Sequence, residues 1–314
     1  MFFKRSHLSV KRKEVRFSDL LFYNSLRVLA FAIIALFISI FIFLFTSAQP
    51  TFINEGWSFF TDSIWSPTTD TYGVLAFVYG TVVSSFLALL FAVPISVGSA
   101  LFLTQICPRA LRRPIRTLIE LLAAIPSVVY GLWGIFVLAP FIKNYIQPFL
   151  SAHTEALPFF QGPPFGLGLF TAGIILAIMI IPTITTISIE IFSSIPKLYQ
   201  EGAKALGATD WEAMRMAVLA PGFSGVFAAI ILGLGRAMGE TMAVTMVIGN
   251  RADISSSLFS PAATMASVIA NEYAEAGSNL HSASLSAVGL TLLIISMIVN
   301  FGARLIIKRA RREA

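Results

Sequence analysis

The sequence predicts an all-α, polytopic membrane protein with six transmembrane helices. Of its 314 residues, 56% are hydrophobic and only 12% are charged, and the mean hydropathy is +0.82. A soluble domain usually carries about 25% charged residues. Six apolar segments are long enough to cross a bilayer, for which about 20 residues suffice. These segments are residues 28–47, 74–106, 118–142, 166–189, 222–249 and 283–303.

The first apolar segment, residues 28–47, contains no charged residue and is predicted to be the first transmembrane helix. A basic segment of residues 1–27 precedes it, and a loop at residues 48–73 follows it. The alternative is a cleaved signal peptide. We favour the helix because the preceding segment is too long for the charged region of a signal peptide and no small-x-small cleavage site follows.

Prolines interrupt the second, third and fourth segments, at Pro94, Pro126 and Pro182. Membrane spans tolerate proline where neighbouring helices satisfy the freed carbonyl groups, so kinked spans are expected. The third segment also carries Glu120 near its start, four residues after Arg116. This spacing favours a local ion pair at the end of the helix.

The connection between the fourth and fifth segments, residues 195–221, has the pattern of a helical hairpin. Pro196 suits the first turn of a helix, and Gly207 suits its C-terminal stop. Thr209 and Glu212 have the spacing of a capping box, which predicts a second helix after the glycine.

Pro221 is expected to end this second helix. Leu198, Ala205 and Leu206 form an apolar patch on the hairpin that would suit a groove on a partner protein. The alternative is a surface hairpin that packs only on its own chain.

The fifth segment, residues 222–249, is apolar except near its middle, where Arg236 and Glu240 lie. A charge at such a depth costs about 3 kcal/mol on insertion scales, so charged side chains in spans face a pathway or a partner. The spacing of four residues would place both side chains on one helix face. A guanidinium forms a planar fork of donors that suits anionic oxygens. The pair then lines an anion path, or it is a structural ion pair within the bundle or with another subunit.

The distribution of basic residues indicates the orientation of the spans. Nineteen of the 22 Lys and Arg residues lie on one side, in residues 1–27, in the second-to-third connection, in the hairpin and in residues 304–314. The opposite connections hold only Lys143 and Arg251. The positive-inside rule therefore places both termini in the cytoplasm. The predicted organisation is a cytoplasmic N-terminal segment (1–27), the first helix (28–47), an extracytoplasmic loop (48–73), a core with five spans and the hairpin 195–221 (74–303), and a cytoplasmic tail (304–314).

The residue types argue against several other functions. No Gly-x-x-x-x-Gly-Lys-Ser/Thr occurs, so the chain has no ATP phosphate loop of its own. The single cysteine, Cys107, excludes an intrachain disulfide and is expected to be a packing residue at a span end. His7, His153 and His281 lie outside the apolar segments and no Asp lies inside one, so an intramembrane enzyme is disfavoured. We predict no catalytic residue, no cofactor and no metal. A passive scaffold would leave the charges of the fifth segment unexplained.

The hairpin resembles the Glu-Ala-Ala-three-Gly loop of ABC importer permeases. The matching residues are Glu201, Ala203, Gly207, Val218, Leu219 and Pro221. Gly202 replaces the second alanine of that pattern, and the interval from Gly207 to Pro221 is one residue longer. The resemblance implies a type I, MetI-like permease fold in which this loop is a cytoplasmic coupling helix inserted into an ATPase subunit. It implies Glu201, Ala203, Leu206 and Gly207 as the coupling residues.

Three further stretches resemble the phosphate-specific ABC permeases. Residues 119–134 (IELLAAIPSVVYGLWG) are similar to their third span, and residues 233–250 (GLGRAMGETMAVTMVIGN) are similar to their fifth span. Residues 271–276 (NEYAEA) resemble the outer loop of the C-type subunit rather than of its A-type partner. The resemblance implies a permease for inorganic phosphate with Arg236 and Glu240 in the substrate path. The alternative is a permease for another oxyanion, namely sulfate, molybdate or a phosphonate.

The same resemblance implies the partners and the location of the chain. The expected partners are a second homologous permease subunit, two cytoplasmic ATPase subunits that hydrolyse ATP, and an extracytoplasmic phosphate-binding protein. The expected location is the inner membrane of a bacterial cell. The net charge of +6 is explained by the topology, so no nucleic-acid partner is expected.

Overall fold

The computed structural model describes residues 17–153 and 158–313. Residues 1–16 of the predicted basic segment 1–27 lie outside the described residues. The described residues form six helical stretches that are long and apolar enough to cross a membrane, which confirms the predicted number. These stretches are Leu21–Asn54, Leu75–Ile106, Ser127–His153, Leu169–Ser194, Asp210–Gly239 and Asn279–Leu305.

The chain divides into two compact units, Met1–Thr46 and Ser47–Ala314. Helix α1 (Phe17–Asn54) extends beyond the predicted span 28–47 at both ends. The large apolar side chains at residues 21–46, the part of the first unit whose side chains the structure describes, are mostly exposed. Such an apolar surface is expected to face lipid or another subunit in a membrane.

A short structured segment follows α1 in the region predicted to be an extracytoplasmic loop. It contains helix α2 (Ser58–Thr61) and the strands β1 (Trp65–Ser66) and β2 (Thr71–Tyr72). The two strands pair antiparallel, with Trp65 opposite Tyr72. The pairing brings the two aromatic rings to a centroid distance of 4.9 Å.

The second span is helix α3 (Leu75–Leu101), which continues through a π-helical turn at Phe102–Ile106. Helix α4 (Arg109–Ala124) follows, and none of its residues is buried. It carries the four basic residues of the predicted second-to-third connection on one face and leucine and isoleucine side chains on the other. This amphipathic pattern is typical of a helix in the membrane interface.

The predicted start of the third span at residue 118 is wrong. The backbone is extended at Ile125 and at Pro126, and the spanning helix begins at Ser127. Apolar residues lie on both sides of Pro126, so the hydropathy stays high from one helix into the next and gives no sign of the break. A proline ring disfavours the helical conformation for the residue before it, here Ile125, and this explains the break. The span contains α5 (Ser127–Trp133), α6 (Ala139–Phe141) and α7 (Gln147–His153), joined by π-helical turns at Gly134–Leu138 and Ile142–Ile146.

Helix α8 (Leu169–Ser194) is the centre of the second unit. Its residues Ile175, Ile180 and Ile184 are fully buried in the main hydrophobic core. Ser96 of α3 donates a hydrogen bond to the Ile181 carbonyl, at 3.2 Å, and Ile181 directly precedes Pro182 of α8. The first N–H groups of the helix donate to carbonyl groups of the loop that follows the fifth span. This satisfies donors that a helix N-terminus leaves without an intrahelical partner.

The hairpin contains helix α9 (Leu198–Ala205) and helix α10 (Asp210–Met214). The predicted end of the second helix at Pro221 is wrong, because α10 continues through a π-helical turn at Arg215–Leu219 into α11 (Ala220–Gly239). A π-helical turn accommodates one extra residue in a helix. This π-helical turn lies just before Pro221, in the interval from Gly207 to Pro221 that is one residue longer than in the permease motif. It accommodates the extra residue and lets the helix continue through Pro221.

The remaining helices are α12 (Met242–Val247), α13 (Met265–Glu272) and α14 (Asn279–Glu313). The sixth span lies within α14. The backbone of the predicted tail continues this helix instead of leaving it at residue 303. Cys107 is buried in a second hydrophobic cluster with Phe192 and Val218, which confirms its predicted packing role.

Candidate functional site

Arg236 lies in the last turn of α11, on an exposed part of the fifth span. Its Nη1–H donates a hydrogen bond to the Thr183 hydroxyl of α8, at 3.0 Å. A cation in the last turn of a helix is stabilised by the negative end of the helix dipole. The guanidinium is also close enough to the Tyr130 hydroxyl to act on it electrostatically. This arrangement holds a positive charge at one face of the subunit.

The prediction that Glu240 shares a helix face with Arg236 is wrong. Helix α11 ends at Gly239, and Glu240 adopts an extended conformation with φ −68° and ψ 127°. Its Oε1 accepts a hydrogen bond from the Ala243 backbone N–H, at 3.4 Å, in the first turn of the next helix. Glycine is a poor helix former, and the side chain of Glu240 supports the start of a new helix, so the backbone bends here.

Arg236 therefore has no ion pair with Glu240, nor with any other carboxylate in the described part of the chain. This removes the interpretation of a structural ion pair within the single chain. Its neighbour Leu232, one turn earlier, is 56% exposed, and a Cβ built on Gly235 or Gly239 would meet only open space. A charge on such an open face of a span is expected to face water or another protein chain rather than lipid.

The hairpin has the local geometry that the sequence predicts. Gly207 has a φ of +91°, and the preceding Leu206 is 91% exposed. Thr209 and Glu212 form the capping box at the start of α10. Lys204 Nζ of α9 lies 2.6 Å from Asp210 Oδ1 at the start of α10. The two side chains form an exposed ion pair across the turn.

An open groove of 730 Å³ follows the inner side of the hairpin. Of the four predicted coupling residues, the structure brings Ala203, Leu206 and Gly207 to this groove, whereas Glu201 is not among its lining residues. Met216 and Pro221 are among the other apolar residues of the lining. The groove and the exposed Leu206 together form a surface of the size and polarity that a partner side chain can fill.

Two glutamines, Gln105 and Gln200, connect the hairpin to the second span, and sequence reasoning missed both. The Gln200 side-chain amide of α9 donates to Gln105 Oε1 in the π-helical turn after α3, at 2.9 Å. Arg116 of α4 binds Glu120, at 2.8 Å, which confirms the predicted local ion pair, and also Glu190 of α8, at 3.3 Å. The Gln105–Gln200 and Arg116–Glu190 contacts tie α9 and α4 to spans, but pairs so far apart in sequence leave no local pattern to detect.

A second polar cluster, which sequence reasoning also missed, lies at the opposite end of the second unit. Glu272 Oε2 accepts a hydrogen bond from Trp65 Nε1, at 2.8 Å, and lies 2.9 Å from Nε2 of the buried His281. Tyr72 stacks on His281 with an interplanar angle of 14° and donates its hydroxyl to Asp70, at 3.0 Å. Burial, with this hydrogen bond, raises the pKa of Tyr72 to about 12. The tyrosine is therefore neutral at any physiological pH, and the cluster joins the segment of β1 and β2 to Glu272 and His281.

The chain matches known transporter components along most of its length. Residues 92–312 match the family model described as "Binding-protein-dependent transport system inner membrane component". The chain is 43% identical over 309 residues to the phosphate transport system permease protein PstC of Mesorhizobium japonicum, covering 97% of this chain and 94% of that protein. It is 43% identical over 314 residues to the protein of the same name from Pasteurella multocida, covering 99% and 98%.

Two solved transporters have the same fold. The bacterial ABC transporter for the import of alginate has a chain that matches with a TM-score of 0.61 and 16% identity, covering 95% of this chain and 98% of that chain. A chain of the MetNI methionine ABC transporter matches with a TM-score of 0.51 and 19% identity, covering 76% and 94%. Identities this low support the fold alone, and they confirm the predicted MetI-like permease fold. The chain therefore belongs to the family of binding-protein-dependent transport system inner membrane components, within the group of PstC phosphate permease proteins.

Proposed function

We propose that this chain is a permease subunit of an ATP-driven, binding-protein-dependent importer that moves inorganic phosphate across the cytoplasmic membrane. The observation that carries this proposal is the full-length similarity to permeases named for phosphate transport. The exposed guanidinium on an apolar span agrees with an anion path. Other oxyanions share the same oxygen chemistry, but none of them is favoured by the relatives.

Arg236 is the residue that contacts the anion in this proposal. Its guanidinium is charged at any physiological pH and binds phosphate oxygens through two parallel N–H donors. Glu240 lies after the helix end, and within the described part of the chain only its Oε1 has a hydrogen-bond partner. A carboxylate beside the path repels an anion that lingers, which suits transport because a bound ion must also leave.

The hairpin transmits the work of ATP hydrolysis, which takes place in two partner ATPase subunits. We assign the contacts to Glu201, Ala203, Leu206 and Gly207. The 91% exposed Leu206 is the anchor side chain, because a large apolar residue outside the membrane gains most when a partner pocket removes it from water. The capping box and the positive φ of Gly207 hold the turn in one shape for this contact.

A second, homologous permease subunit completes the path. The support for this partner is the open face of α11, where Arg236 and Leu232 are exposed in the single chain. A second span packed against this face would shield the charge from lipid and enclose a polar route between the two subunits. An extracytoplasmic binding protein delivers phosphate to the opposite end of the route.

The proposed orientation places the hairpin in the cytoplasm and the loop before α14 outside the cell membrane. We expect a cysteine at Ala274, which is exposed, to react with a membrane-impermeant thiol reagent in intact cells. A cysteine at the exposed Ala205 of the hairpin should react only after the membrane is permeabilised. A Cys107→Ala background removes the native thiol. Labelling of the Ala205 position from outside would reverse the orientation and exclude the hairpin from ATPase docking.

Reconstitution of the whole assembly tests the proposed function. The chain, the second permease and the ATPase are inserted into liposomes, and the phosphate-loaded binding protein is added outside. We expect phosphate to stimulate ATP hydrolysis and radiolabelled phosphate to accumulate inside, whereas sulfate, molybdate and phosphonate do neither. Accumulation of one of these anions without accumulation of phosphate would refute the substrate assignment and leave the permease assignment in place.

A further inference from the structure

We propose that Thr183 is a positioning residue of the phosphate path, which acts by holding the Arg236 guanidinium in the orientation that receives the anion. This inference rests on the proposed function, in which Arg236 contacts phosphate. It extends the site from the fifth span to the fourth span, to an uncharged residue directly after Pro182.

The contact between the two residues is direct. Nη1–H of Arg236 donates to Thr183 Oγ1 at 3.0 Å, and this is the one hydrogen bond of the guanidinium within the described part of the chain. The remaining N–H donors of Arg236 are free of partners there. A long, exposed arginine side chain samples many rotamers, and a hydrogen bond to its head group removes most of them.

Thr183 itself is held by a rigid backbone. Its neighbours Pro182 and Ile184 are buried, and Ile184 is fully enclosed in the core. Helix α11 approaches α8 closely at Gly233, where an added Cβ would lie 2.8 Å from the Ile184 Cδ1 atom. Gly233 is one turn before Arg236, so this packing of Ile184 on the glycine lets α11 lie close enough to α8 for the guanidinium to reach the threonine.

The hydroxyl of Thr183 accepts a hydrogen bond from a neighbouring helix, whereas four other helical threonines bond within their own chain segment. Thr81, Thr104, Thr245 and Thr291 each donate their hydroxyl to the carbonyl four residues earlier in their own helix. Such a bond is the ordinary way to satisfy a threonine in a helix. Thr183 makes no such bond and accepts from Arg236 instead, so its hydroxyl is directed at α11.

This arrangement has a chemical consequence for anion binding. The threonine occupies one N–H of the guanidinium and leaves the rest of the planar fork for phosphate oxygens. Because the hydroxyl is neutral, it fixes the direction of the fork without neutralising the charge, as a carboxylate would. Loss of the hydroxyl should therefore leave the charge in place and misdirect it.

The test compares Thr183→Val, which keeps the shape and removes the hydroxyl, with Thr183→Ser, which keeps the hydroxyl. Phosphate uptake is measured per assembled complex in proteoliposomes. We expect Thr183→Val to lower the maximal uptake rate by about tenfold, the usual loss for one hydrogen bond to a charged group. The KM for the phosphate-loaded binding protein should not change, because that protein binds the anion before delivery. Thr183→Ser should restore at least half of the rate.

The matched control is Thr186→Val, on the same helix, where the half-buried threonine makes no hydrogen bond to Arg236 and normal uptake is expected. Normal uptake by Thr183→Val would overturn the inference. Equal losses in Thr183→Val and Thr183→Ser would also overturn it, because side-chain shape and not the hydroxyl would then matter. Absence of phosphate uptake in the unmodified assembly and in the control would instead refute the proposed function itself.

Discussion

Arg236→Gln is expected to abolish phosphate uptake while the subunit still enters the membrane and assembles with the ATPase. Two hydrogen bonds from a guanidinium to an anion contribute about 1.5–3 kcal/mol each, so their loss lowers the uptake rate by at least about 100-fold. Arg236→Lys should recover part of the rate, because a point charge attracts the anion but cannot bind it with a planar fork. The measurement is uptake per assembled complex, together with the amount of subunit in the membrane.

The structure distinguishes this outcome from a structural role. Since Arg236 has no carboxylate partner within the described residues, its removal leaves no unpaired charge in the single chain. We therefore expect Arg236→Gln combined with Glu240→Gln to remain inactive. Recovery of uptake in this double variant would contradict direct contact with the anion and favour an ion pair formed in the assembly. Arg251→Gln, at an exposed outer position beside Asp253, is the control and should transport normally.

Gly207→Val is expected to uncouple ATP hydrolysis from uptake without removing the protein from the membrane. At φ +91° a β-branched residue is strained by about 1–2 kcal/mol, so the turn between α9 and α10 would change shape. A Cβ at this position meets no atom within 4 Å, so the effect comes from the backbone and not from a clash. The assay measures basal ATPase activity, its stimulation by phosphate, and uptake in the same preparation. Uptake and the stimulation should fall by more than about tenfold, while basal ATP hydrolysis persists.

Two substitutions in the same hairpin serve as controls for this prediction. Gly202→Ala lies within α9, where the added Cβ also meets no atom within 4 Å, and should leave coupling intact. Gly207→Asn should retain part of the activity, because asparagine tolerates the left-handed conformation better than other non-glycine residues. Normal coupling in Gly207→Val would mean that the hairpin does not transmit motion to or from the ATPase.

The parts of the fold that sequence could predict are those set by local rules. Six spans follow from apolar length, and the turn at Gly207 with the capping box of Thr209 and Glu212 follows from residues only a few positions apart. The helix breaks at Ile125 and Gly239 were not predicted. Hydropathy stays high across Ile125, and the spacing of Arg236 and Glu240 suggested one continuous helix across Gly239. A helix breaks where backbone N–H and C=O groups find partners outside the helix, and the mean hydropathy of a segment carries no information about those partners.

The candidate site was predicted in part for the same reason. Arg236 is conspicuous because charges are rare in spans, and its role in transport stays a prediction. Thr183 could not be found, since threonine is common in membrane helices and its contact with Arg236 joins residues 53 positions apart. The relation of Arg236 to Glu240 was misjudged because helical spacing was assumed through a glycine at which the helix ends.

The uninterrupted course from Asp210 to Gly239 has a mechanical consequence. These 30 residues form one rod of about 45 Å, with the docking hairpin at one end and the guanidinium one turn from the other. A tilt of about 5° around the hairpin end would move the far end by about 4 Å, more than the length of the 3.0 Å bond to Thr183. In the proposed function, leverage of this kind would need no chain of small rearrangements between the ATPase and the anion. A slight rotation at the hairpin end would then be enough to break or re-form the contact between Arg236 and Thr183.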